Sequence, residues 1–245
     1  MNMRVSVVLP TYNERENIEL MVNAILDLEH TPAAKNLRLQ KMQIVIVDDN
    51  SPDGTGEIAD KLADKHPDKT YVIHRTERGR GSAGIAGFEY ALTQDVDYII
   101  EMDADFSHEP SDIPRFLTEA EQYDIVIGSR YIPGGKSGSR SFTRHLVSRG
   151  ADLYTRLVLG IDIKDCHGGY RCYRKQVLSY LNFDGFYSRG YSITIESLYK
   201  LLRNGCSYKE IPIVFRERCR GTSKFSIKDV LDYARIVWRL RWNRK

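Results

Sequence analysis

The chain has 245 residues, with 36 Lys and Arg against 33 Asp and Glu for a net charge of +3, and it is 42% hydrophobic and 28% charged. That length buries a substantial core, and the composition excludes a stapled mini-protein, a disordered segment and a collagen-like chain. The small net charge gives no sign of a nucleic-acid partner, and Cys166, Cys172, Cys206 and Cys219 lack the spacing of a zinc site, so reduced thiols are expected.

In chain order, Arg4–Leu9 is a strand ending at Pro10, and Ile18, Met21, Val22, Ile25 and Leu26 recur at helical spacing within Glu14–Leu28. A second strand, Gln43–Val47, leads through the turn Asp48–Gly54 into a helix with Ile58, Ala59 and Leu62 on one face. The alternation continues with a strand at Thr70–His74, a helix at Ser82–Leu92, a strand at Tyr98–Met102, a helix at Ser111–Ala120 and a strand at Asp124–Ile127. From Tyr131 the Gly- and Ser-rich PGGKSGSRS predicts a mobile loop. Beyond it come a helix near Thr143–Leu159, a mixed region around Gly168–Tyr173, a helix near Ile193–Arg203, a strand near Tyr208–Phe215 and an amphipathic helix over about 226–242. Alternating β and α elements predict an α/β fold with a mostly parallel central sheet covered on both faces, in one domain over residues 1–245.

No apolar stretch approaches the roughly 18 to 20 residues of a membrane span. The N-terminal apolar run is short and contains Pro10, unlike a signal peptide, so a cytoplasmic protein is expected.

In such sheets ligands sit beyond the carboxyl ends of the strands, where the polar clusters Pro10–Glu14, Asp48–Asp53, Arg75–Gly81 and Asp103–His108 fall. Asp103-Ala104-Asp105 directly follows a strand. Extended backbone turns i and i+2 side chains to one side, so two carboxylates can converge on a cation such as Mg²⁺ or Mn²⁺. Asp48 and Asp49 end the second strand similarly: one can hold a base or ribose and the other orient the turn, and the residues alone do not assign them. Asp53 or Thr55 can cap the helix that follows. Gly79–Gly84 reads GRGSAG, a literal GxGxxG, but in the third βα turn and crowded by Arg78 and Arg80. Its glycines are expected to serve close packing, with the arginines near a substrate phosphate. Arg216–Lys224 is a basic loop able to neutralise a leaving diphosphate, and Arg130, Arg144 and Arg149 form a second basic set, which together imply two anionic substrates. The last helix carries Ile227, Val230, Leu231, Ala234, Val237 and Trp238 on one stripe with arginines around it, a pattern that suits core packing and an anionic membrane surface alike.

PTYNERENI at 10–18, VDDNSPDGT at 47–55, EMDADFSHEP at 101–110, GSRY at 128–131 and RxxGxSK at 218–224 resemble the dolichol-phosphate mannosyltransferase group of family 2 glycosyltransferases, which have the GT-A fold. The resemblance implies inverting transfer of mannose from GDP-mannose to a dolichyl or polyprenyl phosphate with Mg²⁺ or Mn²⁺. It implies that Pro10, Tyr12, Glu14, Val47 and Asp49 line the nucleoside pocket. Asp103, Ala104, Asp105 and Ser107 would hold diphosphate and metal, with Asp103, Asp105 and Ser107 as the metal set. Arg218 and Lys224 would grip the donor diphosphate, Arg218 and Asp105 acting in catalysis. Arg130, Arg144 and Ser148 match positions that receive the lipid phosphate, Arg130 also facing the donor. Peripheral contact with the cytoplasmic face of a membrane is implied, and some such members work with a separate membrane subunit. The rival readings are a polyprenyl-phosphate glucosyltransferase or other family 2 enzyme using a UDP-sugar, a sugar nucleotidyltransferase, whose usual Gly-rich first turn is PTYNE here, and a non-catalytic lipid- or nucleotide-binding module.

Overall fold

A computed structural model of the protein describes residues 2–138, 142–188, 190, 192–216 and 227–242, and of 142–145 and 227–231 only the backbone. The strands are β1 (Met3–Thr11), β2 (Leu39–Asp48), β3 (Thr70–His74), β4 (Tyr98–Glu101), β5 (Ile125–Ser129), β6 (Lys136–Ser137), β7 (Arg171–Arg174), β8 (Tyr208–Pro212) and β9 (Val214–Phe215). The α-helices are α1 (Ile18–Leu26), α2 (Pro32–Asn36), α3 (Thr55–Lys65), α4 (Arg80–Thr93), α5 (Ile113–Ala120), α6 (Phe142–Leu159), α7 (Lys175–Leu178), α8 (Ile193–Arg203) and α9 (Ile227–Trp242). Seven strands form one sheet in the order β3-β2-β1-β4-β7-β5-β8. Every pair in it is parallel except β4·β7 and β7·β5, because β7 runs against both neighbours.

Successive side chains along a strand face opposite sides, and here both sides are dry. Val5, Val7 and Leu9 of β1 with Met42, Ile44 and Ile46 of β2 pack beneath α1, α3 and α5, against Met21, Ile25, Leu62, Phe116 and Leu117. Val8, Val45, Val47, Ile99 and Ile127 point the other way, toward Phe88 of α4, Leu198 of α8 and Val237 of α9. The three layers explain why the strands read as nearly unbroken apolar runs.

The departures from expectation have local causes. α1 begins at Ile18 rather than Glu14 because the backbone N–H groups of Asn13, Glu14 and Arg15 donate to Ser51 Oγ, Thr55 Oγ1 and Asp53 Oδ2 at 3.0, 2.9 and 3.1 Å. That would-be first turn is thereby tied to the loop after β2. The short α2, capped by Thr31 Oγ1, has no counterpart in the predicted elements. The mixed region near 168–173 contains β7. The loop predicted mobile is ordered over 131–138, where Lys136 and Ser137 pair with Val214 and Phe215, and its remainder, 139–141, lies outside the described residues. The predicted strand near Tyr208–Phe215 is therefore two strands, β8 in the main sheet and β9 in this small one. On α9, Tyr233, Val237 and Leu240 are buried, whereas Trp238, expected on the apolar stripe, is exposed.

Candidate active site

The strand order reverses direction between β1 and β4, the place where open α/β sheets bind ligands. The loops leaving β1, β2 and β4 meet there. In the first, the Tyr12 ring carries the Arg78 guanidinium 4.5 Å from its centroid, and Glu14 accepts from Asn17 Nδ2 at 2.8 Å. Pro10 lies beside Val47 in the β1·β2 register. The Val47 side chain is in the core, so its share in any pocket is backbone, and its carbonyl already accepts from Thr11 Oγ1 at 3.0 Å.

The two aspartates at the end of β2 divide the work. Asp48 turns into its own loop, accepting from Ser51 Oγ at 2.5 Å and from the Ser51 N–H at 3.2 Å. Asp49 accepts from Arg75 Nη1 at 2.6 Å and from the Gly79 N–H at 2.7 Å, clamping the β3–α4 connection onto β2. Burial pushes the Asp49 carboxyl above its usual range, against the pull of Gly79 and Arg75. The N-cap of α3 is Gly54, not Asp53 or Thr55, and Asp53 lies just before it, its Oδ1 accepting from the Thr55 N–H at 3.0 Å.

Asp103-Ala104-Asp105 leaves the end of β4 at the same edge. The Asp103 N–H donates to Nδ1 of buried His108 at 2.9 Å, so that ring nitrogen carries no proton, and burial lowers the His108 pKa in agreement. His108 is itself fixed by stacking on Tyr170 at 4.9 Å. Asp105 is buried, and its Oδ1 accepts from both the N–H and the hydroxyl of Ser107. Arg80, opening α4, donates through Nε and Nη2 to Asp103 Oδ1 and through Nη1 to Glu101 Oε1. Burial works against its charge, but Asp103 and Glu101 outweigh that and keep it protonated. Arg80 therefore lies on the carboxylates of Asp103 and Glu101. The expectation that the glycines of this turn serve close packing holds: a Cβ on Gly81 would meet the Gly190 carbonyl oxygen at 2.2 Å and one on Gly84 the Glu101 Oε1 at 2.6 Å.

The donor set fits a hard divalent ion. Asp103 and Asp105 supply carboxylate oxygens two residues apart on one loop, with no third His, Cys, Asp or Glu grouped with them for a metal among the described residues. The Ser107 hydroxyl is spent on orienting Asp105.

On the other side of β7, Arg130 is buried and paired with Asp165, Nε to Oδ2 and Nη2 to Oδ1, both at 2.7 Å. That pair leaves only the Nη1 edge of Arg130 for a phosphate. Tyr131 donates from its hydroxyl to Ser148 Oγ at 2.9 Å and packs under Arg149. Of Arg144 the backbone is described, on α6, and Arg218 and Lys224 lie outside the described residues. The Arg216 N–H donates to the Ser107 carbonyl at 3.1 Å, so the strand leading into the basic loop is stitched to the DAD turn. Glu101 and Asp165 carry no role in the sequence reading, and Arg75 and His108 enter it only as ends of polar clusters. Glu101 and His108 flank the DAD on the chain, but Asp165 offers no local signal because its partner is 35 residues away.

A match to the family described as Glycosyl transferase family 2 spans residues 6–181. Among curated proteins, the chain is 41% identical to polyprenol monophosphomannose synthase of Mycolicibacterium smegmatis, covering 94% of this chain and 83% of that protein. It is 39% identical to undecaprenyl-phosphate mannosyltransferase of Micrococcus luteus, over 91% of this chain and 88% of that one, and 39% identical to dolichol-phosphate mannosyltransferase of Pyrococcus furiosus, over 98% and 64%. Among solved structures, glucosyl-3-phosphoglycerate synthase from Mycobacterium tuberculosis, in complex with Mn²⁺, UDP-glucose and phosphoglyceric acid, superposes with a TM-score of 0.65 at 17% identity, covering 97% of this chain and 78% of that one. The same synthase with Mg²⁺ and UDP gives 0.63 at 17% identity, over 97% and 78%. With the strand order, the DAD turn and these relatives in agreement, the chain belongs to glycosyl transferase family 2 and is a glycosyltransferase of the GT-A fold.

Proposed function

We propose that this chain transfers mannose from GDP-mannose to a polyprenyl phosphate, with inversion at the anomeric carbon and with Mg²⁺ or Mn²⁺ as cofactor. The observation that carries the reading is the meeting of Asp103 and Asp105 with the ends of β1 and β2 at the reversal of the sheet, in a chain whose named relatives are mannosyltransferases over nearly its whole length. Pro10, Tyr12, Glu14, the Val47 backbone and Asp49 bound the nucleoside side of the site. Asp103, Ala104 and Asp105 hold the diphosphate end, with Arg218 and Lys224 of the basic loop closing on it. A divalent ion on Asp103 and Asp105 supplies charge neutralisation to the departing diphosphate.

The acceptor needs no activation by a side chain. A phosphate monoester has a second pKa near ~6 and is mostly dianionic at neutral pH, so no general base is required. Its oxygen forms the new bond to the anomeric carbon while the bond from that carbon to the GDP oxygen breaks and the electron pair leaves with GDP. What the chain must do is hold two anions in line. Arg130 through Nη1, Arg144 and Ser148 are the residues we assign to the acceptor phosphate. Because that acceptor is a lipid, the enzyme works at a membrane surface, on the cytoplasmic face. No helix among the described residues is long and apolar enough to cross a bilayer. All the main-sheet strands and the helices α1 and α3–α9 contribute to cores on one sheet, which supports 1–245 acting as one catalytic unit.

The test is transfer of label from GDP-mannose into an organic-extractable polyprenyl phosphate, with Mn²⁺ and detergent, beside UDP-glucose and an EDTA control. Label moving from GDP-mannose alone, and only with metal, is the expected result. Transfer from UDP-glucose alone overturns the donor, and metal-independent transfer overturns the cofactor.

A further inference from the structure

Asp152, on the buried side of α6, holds a histidine. Its side chain is 4% exposed, and its Oδ1 accepts from the Cys166 N–H at 2.9 Å and lies 2.6 Å from Nδ1 of His167. The backbone bond fixes the carboxylate. An ionised carboxylate only accepts, so Nδ1 carries the proton of the neutral ring and Nε2 presents a bare lone pair. Asp152 Oδ2 is buried and has no hydrogen-bond partner among the described residues. The imidazole keeps 26% of its surface exposed and packs at 4.5 Å on the ring of Tyr233 from α9. A carboxylate that holds one imidazole nitrogen and leaves the other open is the arrangement of a proton acceptor, the carboxylate balancing the charge that the ring gains.

The dyad borders the place assigned to the acceptor phosphate. Asp152 lies one turn beyond Ser148 on the same face of α6. The Ser148 hydroxyl meets that of Tyr131 at 2.9 Å, and the Arg130 guanidinium is 5.0 Å from the Tyr131 ring centroid. Arg130 is paired with Asp165, which stands two residues before His167 and within its electrostatic reach, as Arg130 stands within that of Asp152. Arg130, Asp165, His167, Asp152, Ser148 and Tyr131 thus close a ring, and the member of it suited to take a proton from a phosphate is the imidazole.

We propose that His167, oriented by Asp152, takes the last acidic proton of the acceptor phosphate when that phosphate arrives as its monoanion. The inference rests on the mannosyl-transfer reading of the preceding subsection. The phosphate O–H bond breaks, its electron pair stays on the phosphate, whose oxygen attacks the anomeric carbon, and the proton goes to Nε2. After transfer it leaves to solvent from the exposed edge of the ring. At neutral pH most acceptor molecules have already lost this proton, so the dyad extends transfer to the acid side of the phosphate's own second pKa of about 6. The positive ring then favours the dianion beside it, and an opposite charge at such range lowers a pKa by about one unit or more. The other titratable groups packed around the ring hold their charge states through this range. Burial pushes the Tyr233 hydroxyl above its usual range, and against burial the Arg130–Asp165 pair keeps both its charges. Arg171 of β7 is turned onto the Cys166 carbonyl at 2.8 Å.

Transfer of labelled mannose to polyprenyl phosphate, measured in the full chain from about pH 5 to pH 8, compares wild type with His167→Gln and Asp152→Asn, with melting temperatures alongside. Glutamine keeps a hydrogen bond to Asp152 but takes no proton. In both variants the acid limb of kcat is expected to move up by about one pH unit, so that the loss against wild type is about tenfold greater near pH 5.5 than near pH 8. The KM for GDP-mannose is expected to hold. A loss of equal size at every pH assigns His167 a structural role and overturns the inference, as does an acid limb that both variants share with wild type. The ³¹P resonance of a short, water-soluble prenyl phosphate, titrated on the chain without donor, reads the ionisation of the bound phosphate apart from turnover. It is expected to reach the dianion at lower pH on wild type than on His167→Gln. A wild-type chain that shifts this titration but transfers no mannose removes the function and leaves the proton acceptor in place. Titrations that match the free ligand, or that are equal in wild type and variant, overturn the inference whatever the turnover.

Discussion

Arg80 places Nε and Nη2 on a single oxygen of Asp103, at 3.0 and 2.8 Å, and holds Glu101 with its remaining nitrogen at 2.8 Å. The first residue of α4 thus supplies a fixed positive charge inside the acidic turn. Gly169 makes room for it, since a Cβ there would lie 2.5 Å from Arg80 Nη2.

A resident cation opposes the arrival of a second one. Arg80→Met is therefore expected to tighten Mn²⁺ binding by about tenfold, read as free Mn²⁺ by electron paramagnetic resonance in the absence of substrate. The same change strands Glu101, so the melting temperature falls. Adding Glu101→Gln returns part of that loss, and simple additivity in this cycle would show that the two side chains do not act as a pair.

Asp105→Ala is expected to abolish transfer while leaving the fold in place. The carboxylate is buried, and its hydrogen-bond partners include the N–H and hydroxyl of Ser107. Circular dichroism checks the fold and the labelled-mannose assay checks turnover; near-normal turnover would remove Asp105 from the cation site.

Two glycines should respond in opposite senses to the same substitution. Gly81→Ala drives a methyl into the backbone carbonyl of Gly190 and against Ile193, and is expected to cost about 1–3 kcal/mol. Gly150→Ala meets nothing within 4 Å on an exposed helix and is expected to stabilise by about 0.5–1 kcal/mol through lower unfolded-state entropy. Urea unfolding of both variants measures the contrast.

The Arg130–Asp165 pair should make stability acid-sensitive. Burial alone would raise the Asp165 pKa, but the Arg130 charge and its side-chain and backbone hydrogen bonds outweigh this and hold it below the ordinary value. A depressed folded-state pKa means the contribution is complete above the unfolded value of about 3.9 and is lost as pH falls through the folded one. Asp165→Asn is expected to flatten the stability profile below about pH 4, and to cost about 3–5 kcal/mol at neutral pH by leaving Arg130 buried without its partner charge. An unchanged acid limb in the variant would refute the assignment.

Local pattern made most of the sheet legible. β3 and α8 match the predicted bounds, and β1, β2, β4 and β5 differ by a few residues, because strands buried on both faces announce themselves as apolar runs. β7 escaped because its four residues, Arg-Cys-Tyr-Arg, have no apolar run and take their place only through pairing with β4 and β5. The site shows the same division. Asp103 and Asp105 were readable from their position after a strand, whereas Asp48 and Asp49 could not be told apart by position, and only the family resemblance favoured Asp49. The Arg80 contact was not, because an arginine in a glycine turn reads equally as a phosphate ligand, and only the fold brings Glu101 within its reach.

The late strand in the middle of the sheet has a consequence for how the protein is made. A chain emerging from the ribosome completes β1 to β4 by residue 101 and β5 by residue 129, yet β4 keeps a bare hydrogen-bonding edge until Arg171–Arg174 appears. Open strand edges are templates for pairing with other chains. For the span of synthesis between those points the nascent polypeptide is exposed to misassociation with its neighbours on the same message, and fragments ending before Gly168 should aggregate where the longer chain does not.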